Sequence, residues 1–186
     1  KNDETNAVWD LMSLAIGDIR RIVEDDYIAT NNLKRLAGQL ADKHFDRLGI
    51  LPDSDDNDND IKLRSTILSQ MIFAEDILDA SGDSDRPLDE RPVTKSVLDL
   101  FTEYKYKLNE ISGDIRPTVL AVAVRVGDNE TIDFLVNTYK STSDAELQQD
   151  ITAGLTSVRK SDQIDRMIDM FKLSDVIRAQ DLAYWF

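Results

Sequence analysis

The sequence predicts an all-α fold, an α-solenoid or irregular superhelical layer of helical hairpins. The first observation behind this is repetition. The phrase apolar-Arg-x-x-x-Leu recurs from Leu63-Arg64 to Leu68, from Ile115-Arg116 to Leu120 and from Ile177-Arg178 to Leu182, each time where a helical pattern begins. A weaker copy, Leu147-Gln148-Gln149-Asp150-Ile151, completes a series keyed at positions 64, 116, 148 and 178. A spacing of about thirty residues is one helical hairpin, too small to bury its own apolar face and stable only when stacked on neighbours. The second observation is composition. With 7 Gly and 4 Pro in 186 residues and 41% apolar side chains, the chain suits helices joined by short turns and is not a disordered polymer. The third is the spacing of apolar residues by three and four along most segments.

The first helix carries Val8, Leu11, Met12, Ala15, Ile19, Ile22 and Val23 on one stripe, with Trp9 at its edge. Thr30-Asn31-Asn32 reads as the cap of a second helix bearing Leu33, Leu36, Ala37, Leu40, His44 and Leu48, which Gly49 and Pro52 end. Together they form an opening hairpin over 7–49. Residues 53–60, Asp-Ser-Asp-Asp-Asn-Asp-Asn-Asp, read as a self-repelling loop. A third helix begins near Asp60 and presents Leu63, Ile67, Met71 and Leu78, and a second acidic loop with Gly82, Pro87 and Pro92 fills 79–92. A helix from Val93 to about Leu108 closes the long repeat 60–108.

Val119 to Val126 alternates and is β-branched, so in isolation it reads as a buried strand. Its register decides for helix, because it occupies the place of the third helix in the earlier copy and Pro117 fits a first turn whose amides lack partners. Gly127-Asp128 breaks and recaps the chain, giving the repeat 114–141. Ser143-x-x-Glu146 reads as a capping box opening the repeat 143–172, within which Ser161-Asp162 starts a further helix. A last repeat, 174–186, is cut short after the aromatic run Ala183-Tyr184-Trp185-Phe186. About nine helices are expected in a single helical-repeat domain over 1–186. Because the chain opens on Lys1 and stops without a polar capping repeat, it reads as a piece of a longer protein, whose uncovered last layer around Leu182 to Phe186 is expected to favour self-association or disorder.

The formal charge of −14 opposes binding to a phosphate backbone, and no stretch approaches the ~18 apolar residues that cross a bilayer, so neither nucleic acid nor membrane is an expected partner. The absence of Cys fits a reducing compartment, and the cytoplasm is the expected location. The acidic loop lacks the spacing of a calcium loop. Counting from Asp53, Asp58 stands where Gly is needed and Arg64 where a bidentate Glu is needed. One His and no Cys leave no set of zinc ligands and no Ser-His-Asp or Cys-His machine, so His44 reads as a core or groove residue. No catalytic residue and no metal ligand is assigned. The repeated Arg64, Arg116 and Arg178 have two readings. In one they bond carboxylates or carbonyls of a neighbouring hairpin, among Asp114, Asp150 and Asp181, and lock register. In the other they line a concave surface and receive a carboxylate such as a peptide end, which makes Arg116 and Arg178 the candidate substrate-binding residues.

Val8-Trp9-Asp10 leading to Gly17-Asp18-Ile19-Arg20-Arg21, then Lys62-Leu63-Arg64, Asp114-Ile115-Arg116, Ala123-Val124-Arg125-Val126-Gly127 and Val176-Ile177-Arg178-Ala179-Gln180-Asp181 follow in an order that resembles the C-terminal helical domain of zinc aminopeptidases of the aminopeptidase N type. The resemblance implies an irregular bowl of HEAT- or armadillo-like hairpins that closes over the catalytic domain of the same chain and shapes and gates a chamber for peptide substrates. It implies zinc in the parent enzyme and none in these residues, since neither Gly-x-Met-Glu-Asn nor His-Glu-x-x-His occurs in the sequence. A freestanding α-solenoid scaffold that binds a protein partner is the alternative.

Overall fold

The computed structural model describes residues 6–81 and 86–171. Its order is α1 (Asn6–Val23), α2 (Tyr27–Leu48), α3 (Asp58–Glu75), a 3-10 turn at Leu88–Glu90, α4 (Pro92–Tyr104), a 3-10 turn at Leu108–Glu110, α5 (Arg116–Val126), α6 (Asn129–Ser141), α7 (Ala145–Leu155) and α8 (Ser161–Phe171). The fold is all-α, as the repeats require. The ninth expected helix, with Arg178 and the aromatic end, lies outside the described residues. The chain divides into two compact units, Lys1–Val97 and Leu98–Phe186, with the division inside α4.

In the first unit α1, α2 and α3 pack on one another. Trp9, Ala41, Leu48, Leu63 and Ile67 form one buried cluster with Met12, Phe45 and Met71 against it, and Ile16, Leu33 and Ala37 form a second with Val23 and Phe73. Gly38 brings α2 close to α3, since a Cβ there would lie 2.8 Å from that of Ala74. Gly49 ends α2 at φ 61°, a conformation open to glycine, and its amide returns to the carbonyl of Phe45.

Three local expectations change here. On α1 the packed face is buried Trp9 and Ile16 with half-buried Met12 and Val23, whereas Val8, Leu11, Ile19 and Ile22 are exposed. The apolar arc of this helix is wider than its contact, and the bulky Trp9, only 3% exposed, occupies the contact. The cap of α2 is Asp26, which accepts from the amides of Ile28 and Ala29. Thr30 and Asn31 are consequently inside the helix and buried, where Asn31 pairs both ways with the backbone of Leu78, donating at 2.7 Å and accepting at 2.9 Å. The acidic run is only partly a loop: Asn57 caps α3 in a capping box with Asp60, and Asp58 and Asp60 fall in its first turn. Carboxylates there meet the positive end of the helix dipole, which offsets their mutual repulsion.

In the second unit α5 is a helix through the strand-like Val119 to Val126. Val119, Leu120, Val122, Ala123 and Val124 are all buried, and a helix buried on nearly every side loses the polar face that would reveal its period. Gly154 lets α7 lie against α5, with a hypothetical Cβ 2.8 Å from that of Leu120. Asp128 caps α6, as expected. The cap of α7 is Asp144 rather than Ser143: its carboxylate accepts from the amides of Glu146 and Leu147, and the hydroxyl of Thr142 accepts from its own amide. Pro117 stands in the first turn of α5, and α8 begins at Ser161.

Candidate functional site: side chains that staple one helix to the next

The three keyed positions within the described residues, 64, 116 and 148, are junctions between helices. In the first unit Arg64, 1% exposed, extends from α3 so that Nε donates to the carbonyl of Leu48 at 3.1 Å and Nη2 to the Asp56 carboxylate at 2.5 Å. Leu48 is the last residue of α2, where backbone carbonyls lack intrahelical partners and a cation is favourable. Asp56 is held below its ordinary pKa by the Asp53 amide, with help from Arg64 and against partial desolvation. Asp60 in turn accepts from Arg47 at 2.6 Å. The acidic segment is thus folded against arginines and caps.

In the second unit Gln148 repeats the theme: its amide donates to the carbonyls of Tyr139, at 3.2 Å, and Thr142, at 3.1 Å, at the end of α6. Arg116 opens α5 and reaches forward to α7. Its Nε donates to Asp150 at 2.5 Å and its Nη2 to Glu146 at 2.8 Å, two carboxylates four residues apart on one face of α7. Arg116 is 4% exposed. Burial pushes the Asp150 carboxyl above its ordinary pKa, further than Arg116 pulls it back. The bond to Asp150 is a contact of the kind that the first reading of the repeated arginines anticipates. Arg178, the other candidate substrate contact, lies outside the described residues.

His44 is half-buried and packs edge-on to Trp9, a member of the first core cluster, at 5.2 Å between centroids. Among the described residues no three His, Asp or Glu side chains gather in an arrangement that would hold a metal ion, and no helix is long and apolar enough to cross a membrane.

Two junctions escaped the sequence reading. Glu75, the last residue of α3, accepts from the amides of Val93 and Thr94 and from the Thr94 hydroxyl, each at 2.8 Å, and so caps α4 from eighteen residues away. Such a partner has no local spacing to betray it. Lys34, buried on α2, bonds the backbone carbonyl of Asp76 and stands 5.4 Å from the centre of the Phe73 ring. Its signal was available, a lysine inside the apolar face made by Leu33 and Ala37.

What the described residues present is an all-α domain whose buried polar side chains join one helix to the next. The family model described as ERAP1-like C-terminal domain matches residues 1–186, and the chain belongs to that family. It is 29% identical to aminopeptidase N of Lactobacillus delbrueckii subsp. lactis, 27% to that of Lactobacillus helveticus and 26% to that of Lactococcus lactis subsp. lactis strain IL1403, in each case over 100% of this chain and 20% of the relative. The chain therefore spans about a fifth of the length of the curated relatives it matches, and it corresponds to a C-terminal domain of the aminopeptidase N family.

Proposed function

We propose that this chain is the C-terminal accessory domain of a cytoplasmic zinc aminopeptidase that removes N-terminal residues from peptides, and that it walls and gates the chamber in which the catalytic domain of the same chain meets its substrate. The observation that carries this reading is the match of the whole chain to a C-terminal domain found in proteins named aminopeptidase N. The chemistry of the residues agrees with an accessory role. Zinc needs three or four nitrogen, sulfur or carboxylate donors around one point, and the described residues, with one His and no Cys, do not fit it. Zinc, where it binds, belongs to the remainder of the polypeptide. Arg116 then serves the wall by holding α5 to α7, with two of its nitrogens already engaged.

The test compares the intact polypeptide with a variant in which this junction is made apolar, Arg116→Met with Asp150→Leu. Aminoacyl anilides, which need only the catalytic centre, should be cleaved at unchanged rates, while KM for peptides of increasing length should shift. Unchanged length dependence would refute the chamber role, and an intact polypeptide that releases no N-terminal residue would refute the aminopeptidase reading.

A further inference from the structure

α1 has more apolar surface than its unit covers. Val8, Leu11, Ala15, Ile19 and Ile22 are all exposed, Leu11 at 68% and Ile22 at 82%. Their spacing of three, four, four and three residues makes one continuous stripe, about 21 Å long at the helical rise of about 1.5 Å per residue. On α2, Leu36 and Leu40 are exposed in the same manner, with half-buried Ala29 two turns before Leu36 on the same face.

The two stripes line one groove. The opposite flank of α1 carries Ser13 and Arg20, which meet Gln70 and Phe73 of α3. The opposite flank of α2 carries Asn31, Lys34 and Gly38, which meet Leu78, Asp76 and Ala74 at and beyond the end of α3. Both stripes therefore point away from α3. α1 and α2 run antiparallel, with Trp9 beside His44 at one end and the Thr30 hydroxyl on the carbonyl of Val23 at the other. Stripes turned from a shared third helix on an antiparallel pair converge on the same open side.

We infer that this α1–α2 groove is the seat of an amphipathic helix from the same polypeptide, outside these residues, with apolar side chains at i, i+3 or i+4, and i+7. The inference rests on the reading that the chain is one part of a longer enzyme: about four-fifths of the matched relatives lies beyond the region this chain covers. A contiguous apolar surface of this extent marks an interface rather than scattered exposure, and a helix in a groove is the geometry that fills it. A second copy is the poorer occupant, since each copy carries a formal charge of −14 and two would repel.

The sequence has no cysteine, so single replacements report accessibility cleanly. In the intact polypeptide, Leu11→Cys, Ile22→Cys and Leu36→Cys should be alkylated roughly tenfold or more slowly than Asp42→Cys on the polar side of α2, read peptide by peptide in a mass spectrometer. In the isolated 186-residue chain all four should react alike. Equal rates in the intact polypeptide would overturn the inference. So would slow labelling of the stripe in the isolated chain that quickens on dilution, which would seat a second copy there. A protected stripe in a polypeptide without peptidase activity would uphold the groove and refute the enzymatic reading instead.

Discussion

Replacing Arg116 by Met tests whether a buried staple fixes this domain. Its two acceptors are unequal: the Asp150 side chain is 12% exposed and that of Glu146 68%. Breaking a buried pair by removing one member costs about 3–5 kcal/mol, because the other charge is left without compensation, whereas an exposed pair contributes about 0–1 kcal/mol. Nearly all of the loss in Arg116→Met should thus come through Asp150. In a domain of this size each kcal/mol moves Tm by about 2–4 °C, so a fall of about 6–20 °C is expected by circular dichroism. Glu146→Ala should cost under about 1 kcal/mol. Arg116→Met combined with Asp150→Leu should return to within about 1–2 kcal/mol of the wild type, since an apolar pair replaces the ionic one without leaving an orphan charge. The pH dependence follows from the sign of the Asp150 shift. Its folded-state pKa is already raised by burial, and losing Arg116 removes an influence that lowers it. The penalty should be full at neutral pH and shrink as pH falls through that raised value, where protonation neutralises the stranded carboxylate. Equal losses in Arg116→Met and Glu146→Ala, or a double variant as unstable as the sum of its parts, would refute this account.

Three further outcomes are expected. Gly154→Ala and Gly38→Ala should each lose about 1–2 kcal/mol, overpacking against Leu120 and Ala74 outweighing the gain in helix propensity, while Gly17→Ala, with nothing within 4 Å of its new Cβ, should gain about 0.5–1 kcal/mol; urea midpoints in the reverse order would dismiss the close approach of these helices. Glu75→Ala removes the acceptor of three hydrogen bonds at the start of α4 and should cost about 1.5–3 kcal/mol, with the amides of Val93 and Thr94 exchanging faster; unchanged exchange would contradict the cap. Asp56 and Asp128 are held below their ordinary pKa, Asp56 first by the Asp53 amide and Asp128 first by the Thr131 amide, so the stability they contribute is present above the unfolded value of about 3.9 and is lost as pH falls through their folded values. Asp56→Asn should accordingly lie nearer the wild type at pH 2 than at pH 7, and a difference that widened in acid would reverse the sign.

The helical class was legible because the keyed arginines impose a register that overrides local propensity: Val119 to Val126 looks like a strand, yet Arg116 places it where a helix belongs. The Arg116–Asp150 junction was legible for a related reason, since a charge repeated with the fold needs a partner repeated with the fold. Cap positions were less legible where several capping residues adjoin, as in Asp25-Asp26 ahead of Thr30-Asn31-Asn32 or Ser143-Asp144, because the choice depends on how short a turn the packing allows. The buried side of α1 was obscured by its wide apolar arc, which offers two candidate stripes about a quarter-turn apart, and only contact with α2 and α3 chooses between them. Glu75 could not be found at all from spacing, because its partners are brought to it by tertiary structure.

Hairpins that stack through apolar faces alone have little to fix how far one slides on the next, because hydrophobic attraction is non-directional. The keyed positions supply direction. Arg64 and Gln148 reach back to the carbonyls that close α2 and α6, and Arg116 reaches forward to α7. A buried ionic junction contributes little net stability over an apolar one of the same shape, so its persistence at a repeated position is explained by geometry rather than by energy. That is what a chamber wall would require, since a displacement of about one ångström at a substrate surface alters binding more than the same displacement in a solvated scaffold. Stability and positioning should therefore separate in the Arg116→Met, Asp150→Leu variant: the apolar core decides that the hairpins stack, and the staples decide where.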